Sequence, residues 1–198
     1  MNLAIKLTER DINIFKIISK TGSISRKMLD EDFKMERRSI YRLTKGEDAF
    51  LKVHNTPQKS GKKIVNRYTY SFTSIGAKYA IENGLCKAVQ GFNGYEHSLQ
   101  AEKTIKELLD SGIDVANIYN EKEQEIIFRK EIKKMKDEDK VKRRKDSSFA
   151  VVDFAYYEGD KLNLIEIETK NYRPKLRKQH STYAKNLGGS YTTIRYKK

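Results

Sequence analysis

The sequence predicts a mixed chain, α+β to α/β, in two domains, and three observations carry that expectation. The first 90 residues set helix-period apolar stripes before a turn-rich pair of strands. Phe149 to Lys170 reads as a strand, a tight turn and a return strand. Helical and strongly charged sequence lies between the two. A length of 198 residues leaves room for one large core or two small ones.

Hydrophobic residues make up 37%, a low share, but 12 Tyr and 8 Phe can still build a core. Lys and Arg total 41 against 27 Asp and Glu, a net charge of +14. Such a chain repels itself unless a polyanion relieves it, so nucleic acid is the expected partner. A membrane surface competes, but no helix with a clean apolar face and no lipidation signal is visible. A merely lysine-rich proteome competes too, yet the basic residues cluster where a DNA-binding motif needs them. The single Cys86 excludes an intramolecular disulfide and a cysteine-rich zinc site, and reads as a small buried residue. "MNLAIKLTERD" has no signal-peptide core, and no run nears the roughly 18 apolar residues of a span, so a cytoplasmic location is expected.

"LTERDINIFKII" opens with a capping box, Thr8 and Asp11, and continues with Ile12, Ile14, Phe15, Ile17 and Ile18 at helical spacing. Gly22 stops this helix. Ser25 caps a short second helix with Met28 and Leu29 inward. In the third, "KMERRSIYRLTK", Ile40 and Leu43 face inward, and Arg37, Arg38, Ser39, Tyr41, Arg42 and Lys45 surround the rest. A second helix this basic in a helix–turn–helix pair suits a major-groove reader, and arginine's planar fork matches phosphate and guanine edges. Phe50 to Val53 reads as a strand, "HNTPQKSGKK" as a basic loop, and "IVNRYTYSF" as the return strand, with Lys59, Lys62, Lys63 and Arg67 near the tip. His54 is expected exposed on that side. A helix from about Ser74 closes the unit. This is the order of a winged helix–turn–helix domain over residues 1–90, whose wing would contact phosphate or minor groove. The competing reading is a small α+β domain for protein contacts.

Residues 91–198 form the second domain. After a linker comes a helix from about Tyr95, with Leu99, Ile105, Leu108 and Leu109 apolar and Glu102 near its middle. A short strand follows in "IDVANIYNE", then a charged amphipathic helix, then "KDEDKVKRRKD" as a mobile or DNA-ordered loop. "FAVVDFAYY" is a buried strand carrying Asp153, "EGDK" turns, and "LNLIEIETK" returns.

If Gly159 and Asp160 are the two loop residues, Glu158 pairs with Lys161 and Asp153 falls opposite Glu166. Glu168 is then the diagonal neighbour and Lys170 lies two further along. Like charges directly opposite destabilise a sheet, and a divalent cation would cancel the repulsion. A solvated edge, with Glu166 and Glu168 paired to Lys161 or Lys170, is the competing reading.

Asp153 followed by Glu168-Thr169-Lys170 resembles the D…(D/E)xK signature of the PD-(D/E)xK nucleases, also called restriction-endonuclease-like. That resemblance implies a mixed sheet flanked by helices, with the acidic row on a central hairpin. It implies that Asp153 and Glu168 bind Mg²⁺ (or Mn²⁺), that Lys170 assists the attacking water, and that DNA is cleaved or nicked. Glu166 adds a carboxylate, leaving open which glutamate is the principal ligand. Val152 stands where the family often has proline. Gln179 and Tyr183, in "RKQHSTYAKNL", look like the QxxxY of RecB-like members. Glu102 matches an acidic residue that completes the site in several members. Taken alone, Gln179 and Tyr183 read as surface helix contacts, and His97 and His180 as ordinary polar helix residues.

Along the whole chain, the winged helix, "YEHSLQAEKTI" with His97, "VVDFA" and "LIEIETK" are similar to the replication-relaxation proteins of plasmids and integrative elements. They are akin to mobilisation relaxases. That similarity implies a mobile-element DNA-processing protein, with other replication, mobilisation or transposition proteins as partners and a homodimer where both strands are cut. Many such proteins implied by the same likeness are non-catalytic, sequence-specific DNA binders, regulators or accessories.

Overall fold

The capping box at Thr8 opens helix α1, Glu9–Thr21, in a computed structural model that describes residues 6–61, 63–141, 151–168 and 174–195. Thr8 N–H donates to Asp11 Oδ2 at 2.7 Å, and Asp11 N–H donates to Thr8 Oγ1 at 3.3 Å. Two otherwise unpaired helix-start amides are thereby satisfied. The fold is α+β, in two compact units, Met1–Ala116 and Asn117–Lys198.

In the first unit α1 is followed by β1, Ile24–Ser25, α2, Arg26–Glu31, and α3, Arg37–Thr44. The hairpin strands β2, Leu51–Ser60, and β3, Lys63–Phe72, come next, then α4, Ser74–Glu82, and α5, Tyr95–Asp110. The three strands form one antiparallel sheet in the order β1-β3-β2. Ile14, Phe15, Ile18, Leu29, Leu43 and Phe72 are buried at its core. The Phe15 ring meets those of Phe50, Phe72 and Tyr79 at 5.2–6.1 Å between centroids.

Gly22 ends α1 with φ 81°, the left-handed cap that the sequence suggests. It is also a close approach, because a Cβ there would lie 2.1 Å from the Gly91 carbonyl oxygen.

Three expectations about this unit change. Residues 54–60, expected in a basic loop, are paired instead: β2 and β3 stay in register from Leu51↔Phe72 to Ser60↔Lys63. Pro57 is tolerated because β2 is an edge strand. The division between units falls at Ala116, not near Gly91. Residues 90–92 are held on the sheet and α1: Gln90 N–H donates to Ser19 O at 2.9 Å, and Phe92 stacks on His54 at 4.3 Å. Beyond them α5 packs on α1 and β1 through buried Ala101, Ile105 and Leu108. His54, expected exposed, is half-buried under Phe92 and bonded through Nε2 to Ser71 Oγ at 2.7 Å.

The second unit holds β4, Ile118–Asn120, α6, Glu121–Ile127, α7, Arg129–Val141, β5, Phe154–Glu158, β6, Lys161–Glu168, α8, Pro174–Asn186, and β7, Ser190–Arg195. Its sheet is mixed, in the order β4-β5-β6-β7, antiparallel except for β6 with β7. A parallel pair needs a crossover, and α8 supplies it. Part of the expected loop "KDEDKVKRRKD" is helical, since α7 runs to Val141; its remainder, Thr169, Lys170 and Lys62 lie outside the described residues.

Strand β6 is buried on both faces from Leu164 to Glu168. On one face Leu162 and Leu164 pack with Ala155, Val152, Phe128, Tyr183 and Ala184. Alternation puts Glu166 and Glu168 on that same face, one and two steps further along the strand.

Candidate functional site

Two regions gather the sequence-predicted residues, one in each unit. In the first, α3 presents its basic side outward. Successive helical residues turn by about 100°, so Arg37, Arg38, Tyr41 and Lys45 fall within an arc of about 100°, opposite Ile40 and Leu43. The first four are exposed and the last two buried. Tyr41 is 61% exposed, and the Lys45 ammonium lies 5.6 Å from its ring centroid. Ser39 is half-buried.

Arg42 does not join that outward stripe. Its Nη2 donates to Asp11 Oδ2 at 2.5 Å and its Nη1 to the Lys6 carbonyl at 2.9 Å. Asp11 is fully buried. Burial works to raise its pKa, but hydrogen bonds from Arg42 and Thr8 outweigh that and hold the carboxyl below its usual range. The guanidinium expected at the DNA thus ties α3 to the start of α1.

On the hairpin, Lys59, Lys63 and Arg67 are exposed. Ten paired positions carry the hairpin well past the two-residue β1, so its tip stands away from the core. Arg67 and Tyr68 line a cleft of about 600 Å³ with Arg26, Asp30, Tyr95 and Leu99.

Glu102 is also in this unit. It is buried, and its Oε2 accepts a hydrogen bond from Ser25 Oγ at 2.6 Å. Burial pushes its carboxyl up to about 7, against the Ser25 bonds. The resemblance put Glu102 with the acidic row; the hydrogen bond its carboxylate makes in the first unit is to Ser25, the cap of α2.

The second region is the β5–β6 hairpin. Glu158 pairs with Lys161 across Gly159 and Asp160, and Phe154 pairs with Ile165. The next step brings Asp153 to the level of Glu166, and Asp153 Oδ2 accepts from the Ile167 amide at 2.7 Å. The side chain thus takes a ladder bond just before β5, which begins at Phe154.

The solvated-edge reading fails for the glutamates. Glu166 is 9% and Glu168 4% exposed. Helix α8 covers them. Arg177 donates through Nε and Nη2 to the two oxygens of Glu168, and His180 Nδ1 lies 3.4 Å from Glu166 Oε2. Arg177, His180 and Tyr183 are three apart, so successive turns of α8 meet Glu168, Glu166 and the apolar end of the same face. Sequence reading missed Arg177 and set His180 aside; the i, i+3 spacing opposite acids at i, i+2 is the signal that could have found them.

Tyr183 lies one turn beyond His180 on α8. It is fully buried, its hydroxyl donates to Gln124 Oε1 at 3.3 Å, and burial raises its pKa. Gln124 in turn donates to the carbonyls of Val152 and Tyr119. Gln179 is half-buried on α8. No group of three His, Cys, Asp or Glu side chains able to hold a metal is found among the described residues. Both oxygens of Glu168 accept from Arg177, so a guanidinium already stands against the negative charge that a Mg²⁺ or Mn²⁺ ion would meet there.

Comparison with protein-family models, with curated proteins and with solved structures finds no match. No helix among the described residues is long and apolar enough to cross a membrane.

Proposed function

We propose that this is a DNA-binding protein whose first unit is a winged helix–turn–helix. Helix α3 is the recognition helix and β2–β3 the wing. The observation that carries this reading is the outward stripe of Arg37, Arg38, Tyr41 and Lys45. An eight-residue helix with its cations on one side and its apolar residues on the other fits a groove lined by phosphate. Lys59, Lys63 and Arg67 supply a second row for the backbone. The likeness to replication-relaxation proteins supports a regulator or accessory in plasmid replication or mobilisation, with DNA and other replication proteins as partners. To test it, the affinity for random-sequence duplex DNA is followed through a salt series. A steep linear fall of log K with log salt is expected, and a flat line contradicts the reading.

A second reading, Mg²⁺-dependent cleavage or nicking at a PD-(D/E)xK-like site, is favoured by the register that brings Asp153 level with Glu166 on the central hairpin. Against it, Glu168 has its cation from Arg177. Supercoiled plasmid with Mg²⁺ separates the two. Nicking that is lost in Asp153→Ala and Lys170→Ala selects cleavage; intact plasmid selects the binding protein.

A further inference from the structure

The DNA reading gives every cation of α3 the same task. The geometry does not. Arg42 sits about 40° beyond Arg38 around the helix, on the shoulder between the outward stripe and the buried side. From there its fork reaches two acceptors at once, the Asp11 carboxylate and the Lys6 carbonyl. Helix α3 has few other polar anchors: its N-cap, Glu36, makes no side-chain capping bond, and only Ile40 and Leu43 are buried. Two apolar side chains hold a short helix against the core but leave its rotation weakly defined. A bidentate contact at the shoulder defines it.

We propose that Arg42 is a positioning residue that fixes the rotation of α3 through Asp11, and so aims Arg37, Arg38, Tyr41 and Lys45 outward, rather than a phosphate contact. The part that concerns DNA rests on the proposed winged-helix function; the clamp itself does not.

Arg42→Lys and Asp11→Asn test it in the full chain. Lysine keeps the charge and leaves Asp11 paired, but cannot span both acceptors. A phosphate contact would therefore survive the change, and a clamp would not. Asp11→Asn makes the chain more positive, so simple charge attraction would tighten DNA binding, whereas loss of the clamp weakens it. Two readouts are taken, hydrogen exchange of the α3 amides without DNA, and duplex affinity through a salt series. Exchange in α3 is expected to quicken about tenfold in both variants, and affinity to fall about tenfold, as for a lost charged hydrogen bond. The salt slope stays at the wild-type value, whereas Arg38→Gln lowers it by about 1. Unchanged α3 exchange, or wild-type affinity in Arg42→Lys, overturns the proposal. Absence of DNA binding in the wild type overturns the winged-helix reading alone, and the exchange result still decides the clamp.

Discussion

Arg177 donates to both carboxylate oxygens of Glu168. The arginine is 41% exposed and the glutamate only 3% at the side chain, so the pair joins a buried anion to a cation that reaches water. Removing the arginine strands the buried charge. Arg177→Gln is expected to lower stability by about 2 kcal/mol, discounted from the fully buried case because the arginine is partly solvated. Glu168→Gln in the same chain should restore part of the loss, since the two changes act on one contact. Urea unfolding of the single and double variants measures this.

A pH dependence follows from Glu102. Its carboxyl is raised to about 7 in the folded chain, from an ordinary 4.5, with burial as the leading cause. The unfolded chain therefore releases this proton first as pH rises. The stabilisation is complete below about pH 4.5, declines through pH 5 to 7, and is gone above the folded value. Glu102→Gln removes that segment of the curve and is expected to gain roughly 3 kcal/mol over wild type at pH 8. Denaturant midpoints taken from pH 5 to pH 8 test it, and parallel curves for the two proteins would refute it.

Gly22 and Gly76 should tolerate no side chain. A Cβ at Gly76 would stand 2.1 Å from the Phe50 carbonyl oxygen, and Gly22 combines an equal clash with a left-handed φ. Gly22→Ala and Gly76→Ala are each expected to cost more than about 2 kcal/mol. Gly61→Ala, at φ 61° with open space around it, should cost about 1 kcal/mol from backbone strain alone. Thermal melting ranks the three.

The hairpin should act as a wing in proportion to its charge. Neutralising Lys59, Lys63 and Arg67 together is expected to lower the salt slope of DNA binding by about 2.7. Because these side chains are exposed, the melting temperature should hold. Anisotropy titrations across a salt series read the slope.

What was legible in the sequence was local. Thr8 with Asp11, Gly22, and the two-residue turn at Gly159 and Asp160 each act within a few residues, so the first helix and the β5–β6 register could be read directly. The rest depended on distant partners. Strand β7 exists because it pairs with β6 across the whole of α8, and nothing within "SYTTIR" announces that. Glu166 and Glu168 alternate with isoleucines as a surface strand would, yet α8 returns over them with Arg177 and His180. The hairpin was cut short because Asn55, Pro57 and Gly61 suggest a loop, whereas an edge strand can absorb a proline. Arg42 looked like its neighbours on α3 until the position of Asp11 in space separated it from them.

The most direct test of the central claim compares equal changes of charge at two places. Arg37→Gln/Arg38→Gln removes two cations from the outward side of α3, and Lys78→Gln/Lys103→Gln removes two exposed cations from α4 and α5. Duplex affinity is measured for both against wild type over the same salt series. If α3 is the recognition helix, the first pair lowers the slope by about 2 and the second leaves it unchanged. Equal effects from the two pairs, or none from the first, would contradict it.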